Sequence, residues 1–490
     1  MAVSLFTSRV MLNTLGVVDY GLNNVVGGVV TMFAFLNSAM VTASQRYITF
    51  GLAKNDITQL KVIFTTSFQI HVIIALIVVL LGETIGLWFV YNKMVIPPDR
   101  MHAALWVYHL SIVAMVTSIL SVPYNSAIIA HERMGTFAII SILEVVFKLV
   151  IVYLLVLTSF DKLILLAILS TIVQILIRYI YTFYCIRHFE ETSLIKVYDK
   201  ALIKEMGGFA CWNLLGNVAV TLNGQGLNLL INMFFGPVVN AARAVAVQVD
   251  SAVDKFSSNF LMAVNPQLTK LYAQENRTDM FSLLYRSSKF AFFLMFSLSL
   301  PIILETKPIL ELWLKNAPDY SVQFVQLLLI IAVINTIARP SVTLISATGD
   351  IKLYQLVIGG SLLTILPLSF VVLKLGGSPI SIYIVYFIVN LIVYVIRLLF
   401  MRAKVGMSIL EYTRKVIFSC LLVASVSSAI AFGLKNLMSD SILSVMIVSI
   451  CTFFFVIISS YFIGMTKGEK NFVLEKVLFF ISKIKTKPTE

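Results

Sequence analysis

An all-α integral membrane protein of about fourteen transmembrane helices is the fold class this sequence predicts, on three observations. Hydrophobic residues fill 59% of the 490 positions, charged residues only 12%, and the mean hydropathy is +0.94. Soluble domains carry about 25% charged residues, so this chain cannot cover a water-facing surface of its size. Its apolar residues fall in runs near the ~20 residues that cross a ~30 Å hydrocarbon layer. Short polar breaks separate the runs. Inside lipid each backbone group must bond within its own segment, which selects helices.

Reading apolar runs between polar breaks places spans at 1–15, 22–44, 62–90, 103–126, 138–158, 163–185, 207–235, 239–264, 287–304, 321–346, 353–374, 380–402, 416–434 and 441–464. The expected organisation is a first six-helix lobe over 1–185 with a short first helix, and a cytoplasmic linker over 186–206. A second six-helix lobe follows over 207–402, then two additional helices over 416–464 and a basic tail over 465–490. Cys185, Cys211, Cys420 and Cys451 are scattered, match neither a disulfide framework nor a zinc site, and read as small core residues. The apolar start lacks an A-x-A cleavage site, so it does not read as a cleavable signal.

Orientation follows from the positive-inside rule. With the amino terminus inside, 25 of the 37 Lys and Arg residues fall in inside loops, their helix ends and the tail; Arg397 and Arg402 are among them. Outside loops hold only Lys93, Arg100, Lys162, Lys307, Lys315, Lys374 and Lys435. Both termini are therefore expected to be cytoplasmic. The net charge of +13 reads as topology and attraction to anionic membrane lipids, with no nucleic-acid partner.

The chain also repeats itself. Leu15-Gly16-Val17-Val18 is echoed by Phe235-Gly236-Pro237-Val238, an offset of 220. Pro123 to Ala130 is echoed by Pro340 to Ala347, an offset of 217, and Lys54-Asn55-Asp56 falls where Gln274-Glu275-Asn276 falls in the second copy. Six spans per copy keep both copies in one orientation, and parallel six-helix repeats are a transporter architecture.

The segment Thr7-Ser8-Arg9-Val10-Met11-Leu12-Asn13-Thr14-Leu15-Gly16-Val17-Val18-Asp19-Tyr20-Gly21-Leu22 resembles the first helix and turn of polysaccharide-transporter flippases. These are the Wzx-type O-antigen and exopolysaccharide exporters of the multidrug/oligosaccharidyl-lipid/polysaccharide (MOP) superfamily. Gln45-Arg46-Tyr47 and Asn265-Pro266-Gln267-Leu268 fit the same pattern, so the resemblance runs along essentially the whole chain. It implies two six-helix lobes in a V around a central cavity, alternating access, and undecaprenyl-diphosphate-linked oligosaccharide as cargo. It also implies the bacterial cytoplasmic membrane, with the polysaccharide polymerase and glycosyltransferases as partners. Such flippases have a basic leader and a full first helix before the equivalent of Thr7. Here about 15 apolar residues precede the turn, roughly 22 Å of helix, so further coding sequence is expected upstream of Met1.

Ionisable groups inside spans are costly and mark function by default. In the eighth span Arg243, Val247, Asp250 and Asp254 follow i, i+4, i+7, i+11 and share one helix face. Arg243 suits a diphosphate or acidic sugar; Asp250 and Asp254 suit a coupling ion, H⁺ or Na⁺. The alternative is an internal salt bridge that staples helices. In the seventh span Asn213, Asn217, Thr221, Gly224, Asn228 and Asn232 form a stripe suited to sugar hydroxyls. Interhelical glue accounts for such a stripe equally well. Gly224 and Gly226 make this helix a candidate for bending. Arg9 and Arg339 are candidate cavity cations, and Glu144 with Lys148 reads as a structural i, i+4 ion pair. His71 and His109 lack ligand partners at metal spacing and are assigned no role.

No glycine-rich phosphate loop with Lys and Ser or Thr occurs, so the chain cannot hydrolyse ATP itself. No nucleophile–base pair and no large outside loop stand out, which favours a carrier over an enzyme, with no cofactor beyond the coupling ion. Left open beside the oligosaccharide flippase are a cation-coupled multidrug exporter, a lipid II flippase and, from another class, a membrane-embedded glycosyltransferase or polymerase.

Overall fold

A computed structural model describes residues 34–94, 96–158, 160–314, 318–438, 441–471 and 474–475, with 10–11, 14–16, 19, 22–23, 26–27 and 30 nearer the start. Among the described residues every regular element is a helix, and eleven helices are long and apolar enough to cross a membrane. In chain order the helices are α1 (Ala34–Ala53), α2 (Ile57–Asn92), α3 (Pro98–Ala130), α4 (Met134–Leu157), α5 (Lys162–His188) and α6 (Lys200–Gly236). Then come α7 (237–273), α8 (Arg277–Leu304), α9 (Ser321–Thr348), α10 (Lys352–Lys374), α11 (Pro379–Val405), α12 (Ile409–Leu437) and α13 (Ile442–Gly464).

Three of the fourteen expected spans fall outside the eleven, each for an identifiable reason. Of the span at 1–15 only residues 10, 11, 14 and 15 are described, and in 22–44 the positions 24, 25, 28, 29 and 31–33 lie outside the described residues, so that its longest described run there begins at Ala34. The span at 239–264 lies within α7, whose Arg243, Asp250, Asp254 and Lys255 dilute its apolar character.

The helices divide into two compact units. Unit 1 runs to Val218 and takes in Gly349–Leu356; unit 2 holds Ala219–Thr348 and everything from Val357. In unit 1, α3 is the hub, packed on α1, α2 and α5, with Pro123 buried in its interior. Small hydroxyls let helices approach: the Ser44 and Ser67 hydroxyls meet at 2.8 Å, fully buried. At one end of this unit Arg100 donates Nε to Asp19 and one terminal nitrogen to Asp161, each at 2.8 Å. Asp161 also caps α5 by accepting the N–H groups of Leu163 and Ile164. Burial alone would raise its carboxyl, but the Arg100 hydrogen bond and these amides hold it below the usual carboxylate range.

In unit 2, α9 is the hub, packed on α8 and α11, with Pro340 buried in its interior. The additional helices α12 and α13 pack on α8. Lys289 of α8, 2% exposed, reaches Glu469 beyond α13 at 2.6 Å, and Tyr412 donates to the Ile337 carbonyl at 3.2 Å.

The backbone carries the repeat that the sequence echoes. Left-handed φ values occur at Gly16 (79°) and Gly236 (80°), at Asn55 (55°) and Glu275 (57°), and at Glu132 (59°) and Gly349 (80°). Those pairs lie at the offsets of 220, 220 and 217 seen in the residues. Asp56 and Asn276 then start α2 and α8 alike, each accepting the N–H three residues on. Gly236, at φ 80° and ψ −175°, breaks the otherwise continuous path from α6 to α7. Only glycine adopts that conformation without a Cβ penalty. The break therefore falls beyond Gly224 and Gly226. Gly226 packs closely, since a Cβ there would meet the Leu366 side chain at 2.6 Å.

Candidate functional site

The charged face of α7 lines a cavity of about 610 Å³ within unit 2. Arg243, Val247, Asp250, Ser258, Leu261 and Asn265 recur at helical spacing along its wall, over about 33 Å of helix axis. Opposite walls come from Asn223 and Gly224 of α6, Asn335 and Arg339 of α9, and Tyr383, Tyr386, Asn390 and Arg397 of α11. The four α11 positions follow i, i+3, i+7 and i+14, about 21 Å from first to last. A second space of about 410 Å³ shares Asp250, Asn335, Arg339 and Tyr386 with the first and adds Ser251, Asp254 and Lys255.

Arg243 is 6% exposed and its guanidinium is held by three neutral acceptors. Nε donates to Asn228 Oδ1 at 2.6 Å, one terminal nitrogen to the Gly224 carbonyl at 2.8 Å, and the other to the Tyr383 hydroxyl at 3.4 Å. Tyr383 is itself fixed against Phe324, ring centroids 4.6 Å apart. Among the described residues no carboxylate lies within ion-pair distance of Arg243. Three bonds leave two of its five N–H donors uncommitted. The site therefore holds a desolvated positive charge with its geometry fixed and donors to spare.

Farther along α7, Arg339 pairs with Asp254 at 2.5 Å and also donates to Ser258 Oγ at 2.9 Å. Ser258 in turn donates to the second Asp254 oxygen at 2.8 Å. One turn away, Asp250 Oδ1 is buried without a hydrogen-bond partner, as are Arg397 Nε and Asn223 Oδ1. Amides fill much of the remaining wall. Asn335 donates to Asn390 at 3.1 Å, and Asn265 accepts from Thr343 at 2.9 Å. The charged lining of the larger cavity is thus Arg243, Arg339 and Arg397 against Asp250. Among the described residues no group of three His, Cys, Asp or Glu could hold a metal ion.

The structure brings together Arg243, Arg339, Asp250 and Asp254, with Asn228 acting through Arg243. It separates the rest. Asn213 and Asn217 belong to unit 1 and do not line this cavity; Asn213 accepts from Gln355 at 2.9 Å. Glu144 and Lys148 pair at 2.6 Å on α4 in unit 1 and are not among the residues that line the cavity. Arg9 lies outside the described residues. Arg397, Tyr383, Tyr386, Asn390, Asn335 and Asn223 are cavity residues that the sequence reading missed. The seven-residue recurrence on α11 is the signal that could have found three of them.

No family model matches the chain, and no curated protein matches it significantly. Solved structures do. An outward-facing multidrug resistance MATE family transporter of the MOP superfamily matches with a TM-score of 0.71 at 11% identity, over 83% of this chain and 92% of that one. A MATE transporter in the bent conformation matches with a TM-score of 0.71 at 12% identity, over 82% and 91% of the two chains. A MOP superfamily transporter from Pyrococcus furiosus, described as having a binding pocket of reverse polarity that suggests a different function, matches with a TM-score of 0.69 at 12% identity. That match covers 83% of this chain and 93% of the other. At such identities the likeness establishes the fold, which is that of the MATE transporters.

Proposed function

We propose that this chain is a carrier that flips a lipid-linked oligosaccharide across the bacterial cytoplasmic membrane for surface polysaccharide assembly, by exposing its cavity to the two sides in turn. In this reading the chain has fourteen spans, as two parallel six-helix lobes followed by two additional helices, with both termini cytoplasmic. The observation that carries the reading is Arg243, a buried guanidinium with no carboxylate partner among the described residues and donors left over. A diphosphate brings about two negative charges into a site shielded from water, a prohibitive cost unless fixed cations meet it. A guanidinium does so with paired, directional donors. The amides and phenols along α7, α9 and α11 offer both donors and acceptors to sugar hydroxyls. Asp250, with one oxygen unpartnered, is the candidate seat of a coupling H⁺ or Na⁺.

A second reading rests on that same Asp250. Beside Tyr386 it offers a carboxylate and an aromatic face, which suit a cationic drug. Loss of Arg243 separates the two. Under the flippase reading, Arg243→Ala and the Arg9→Ala, Arg243→Ala double variant abolish surface-glycan display in cells while membrane levels of the protein stay normal. Normal glycan display by the double variant would remove the anionic-cargo reading and leave drug export standing.

A further inference from the structure

The second space, which shares Arg339 with the larger cavity, holds a carboxylate that already occupies the place of an anion. The Arg339 fork grips two oxygens at once, Asp254 Oδ1 at 2.5 Å and Ser258 Oγ at 2.9 Å, and Ser258 ties the second Asp254 oxygen into the ring at 2.8 Å. Two parallel N–H donors on two neighbouring oxygens is also how a guanidinium binds phosphate. The pair is open to exchange. The Arg339 and Asp254 side chains are 36% and 27% exposed, whereas the Lys289–Glu469 pair of the same unit is 2% and 13% exposed. Charges to either side differ in kind. Arg243 has no carboxylate partner among the described residues, and Arg397 has a buried Nε without a hydrogen-bond acceptor.

We infer that Asp254 is a resident anion that an anionic headgroup must displace from Arg339, so that the empty protein holds its middle cation masked between two unmasked ones. This rests on the anionic-cargo reading and adds to it how the site is regulated. Displacement leaves the Asp254 carboxylate facing Asp250 one turn away and Lys255 beside it on α7, with Arg339 on α9 and Tyr386 and Arg397 on α11. A cation arriving at the two carboxylates relieves their repulsion and keeps Arg339 free. Cargo and cation therefore bind cooperatively, each strengthening the other by the same factor.

The test uses the full chain purified in detergent, with farnesyl diphosphate as the probe in titration calorimetry. Asp254→Asn should bind it about tenfold more tightly than the unmodified protein, a shift of about one decade in Kd. The Asp254→Asn, Arg339→Gln double variant should bind no more tightly than Arg339→Gln alone. Equal or weaker farnesyl diphosphate binding by monodisperse Asp254→Asn overturns the inference, as does clearly tighter binding by the double variant than by Arg339→Gln alone. If the unmodified protein binds the diphosphate and Arg243→Ala weakens it, the anionic-cargo reading survives that failure. If no variant binds it up to about 1 mM, the cargo reading falls as well.

Discussion

Two arginines, each held by several hydrogen bonds, show how partners decide what a guanidinium is for. In unit 1, Arg100 lies between Asp19 and Asp161, so its charge is spent on the protein's own carboxylates and on tying the start of α3 to that of α5. In unit 2, Arg243 is more deeply buried and is anchored by an amide, a carbonyl and a phenol. Neutral acceptors fix the group without cancelling its charge. The first arrangement is a staple; the second, in the function proposed above, is a waiting counter-ion. Hydrogen-bond number alone would not distinguish them; the charge of the acceptors does.

The largest expected effect comes from turning the second arrangement into the first. Asn228 Oδ1 lies 2.6 Å from Arg243 Nε, and Asn228→Asp changes the side chain's charge with almost no change of shape. Flipping should fall at least about tenfold, a loss of about 1.4 kcal/mol or more of cargo interaction. The thermal midpoint should hold or rise, because the buried cation gains a partner. Wild-type transport by this variant would show that the Arg243 charge is not what the cargo uses.

Removing the staple should do the reverse. Arg100→Ala leaves Asp19 and Asp161 without their shared cation, and both are only partly screened, at 18% and 28% exposure. The thermal midpoint should drop by about 2–4 °C, measured by tryptophan fluorescence in detergent, while transport per folded molecule stays within about twofold. A transport defect without a stability loss would place Arg100 in the machinery instead.

A smaller effect separates the two sites by pH. The Asp161 carboxyl is held below its ordinary range in the folded protein. Its contribution to stability is therefore complete above the unfolded value of about 3.9 and is lost as pH falls through the folded value. Acid melting curves should show that extra loss in the unmodified protein and not in Asp161→Asn. Identical acid sensitivity in the two would refute the staple.

Much of the fold was legible in the residues because lipid enforces simple rules. Span length is set by bilayer thickness, and the α7 charges at i, i+7 and i+11 must share a face whatever surrounds them. The repeat was legible too, since turns that need positive φ or a capping side chain constrain residue type at fixed offsets. The site was only half legible. Asn213 and Asn228 lie on one stripe, but a stripe reports a face and not a depth, and the two residues end in different units. Arg397 near a helix end looks like a positive-inside charge until the cavity is seen to run down α11 to it. Tyr383 and Tyr386 look like interfacial aromatics for the same reason.

The central claim is that the cavity selects negative charge, and a flip assay in vesicles tests it most directly. The full chain is reconstituted with either a fluorescently labelled polyprenyl diphosphate or a labelled lipid of equal length with a quaternary ammonium headgroup. A membrane-impermeant reductant then quenches label as it reaches the outer leaflet. The account predicts that the unmodified protein exposes the whole diphosphate pool and leaves the cationic lipid at the rate of empty vesicles, and that Arg243→Ala returns the diphosphate to that rate. Transport of the cationic lipid with no movement of the diphosphate would contradict it.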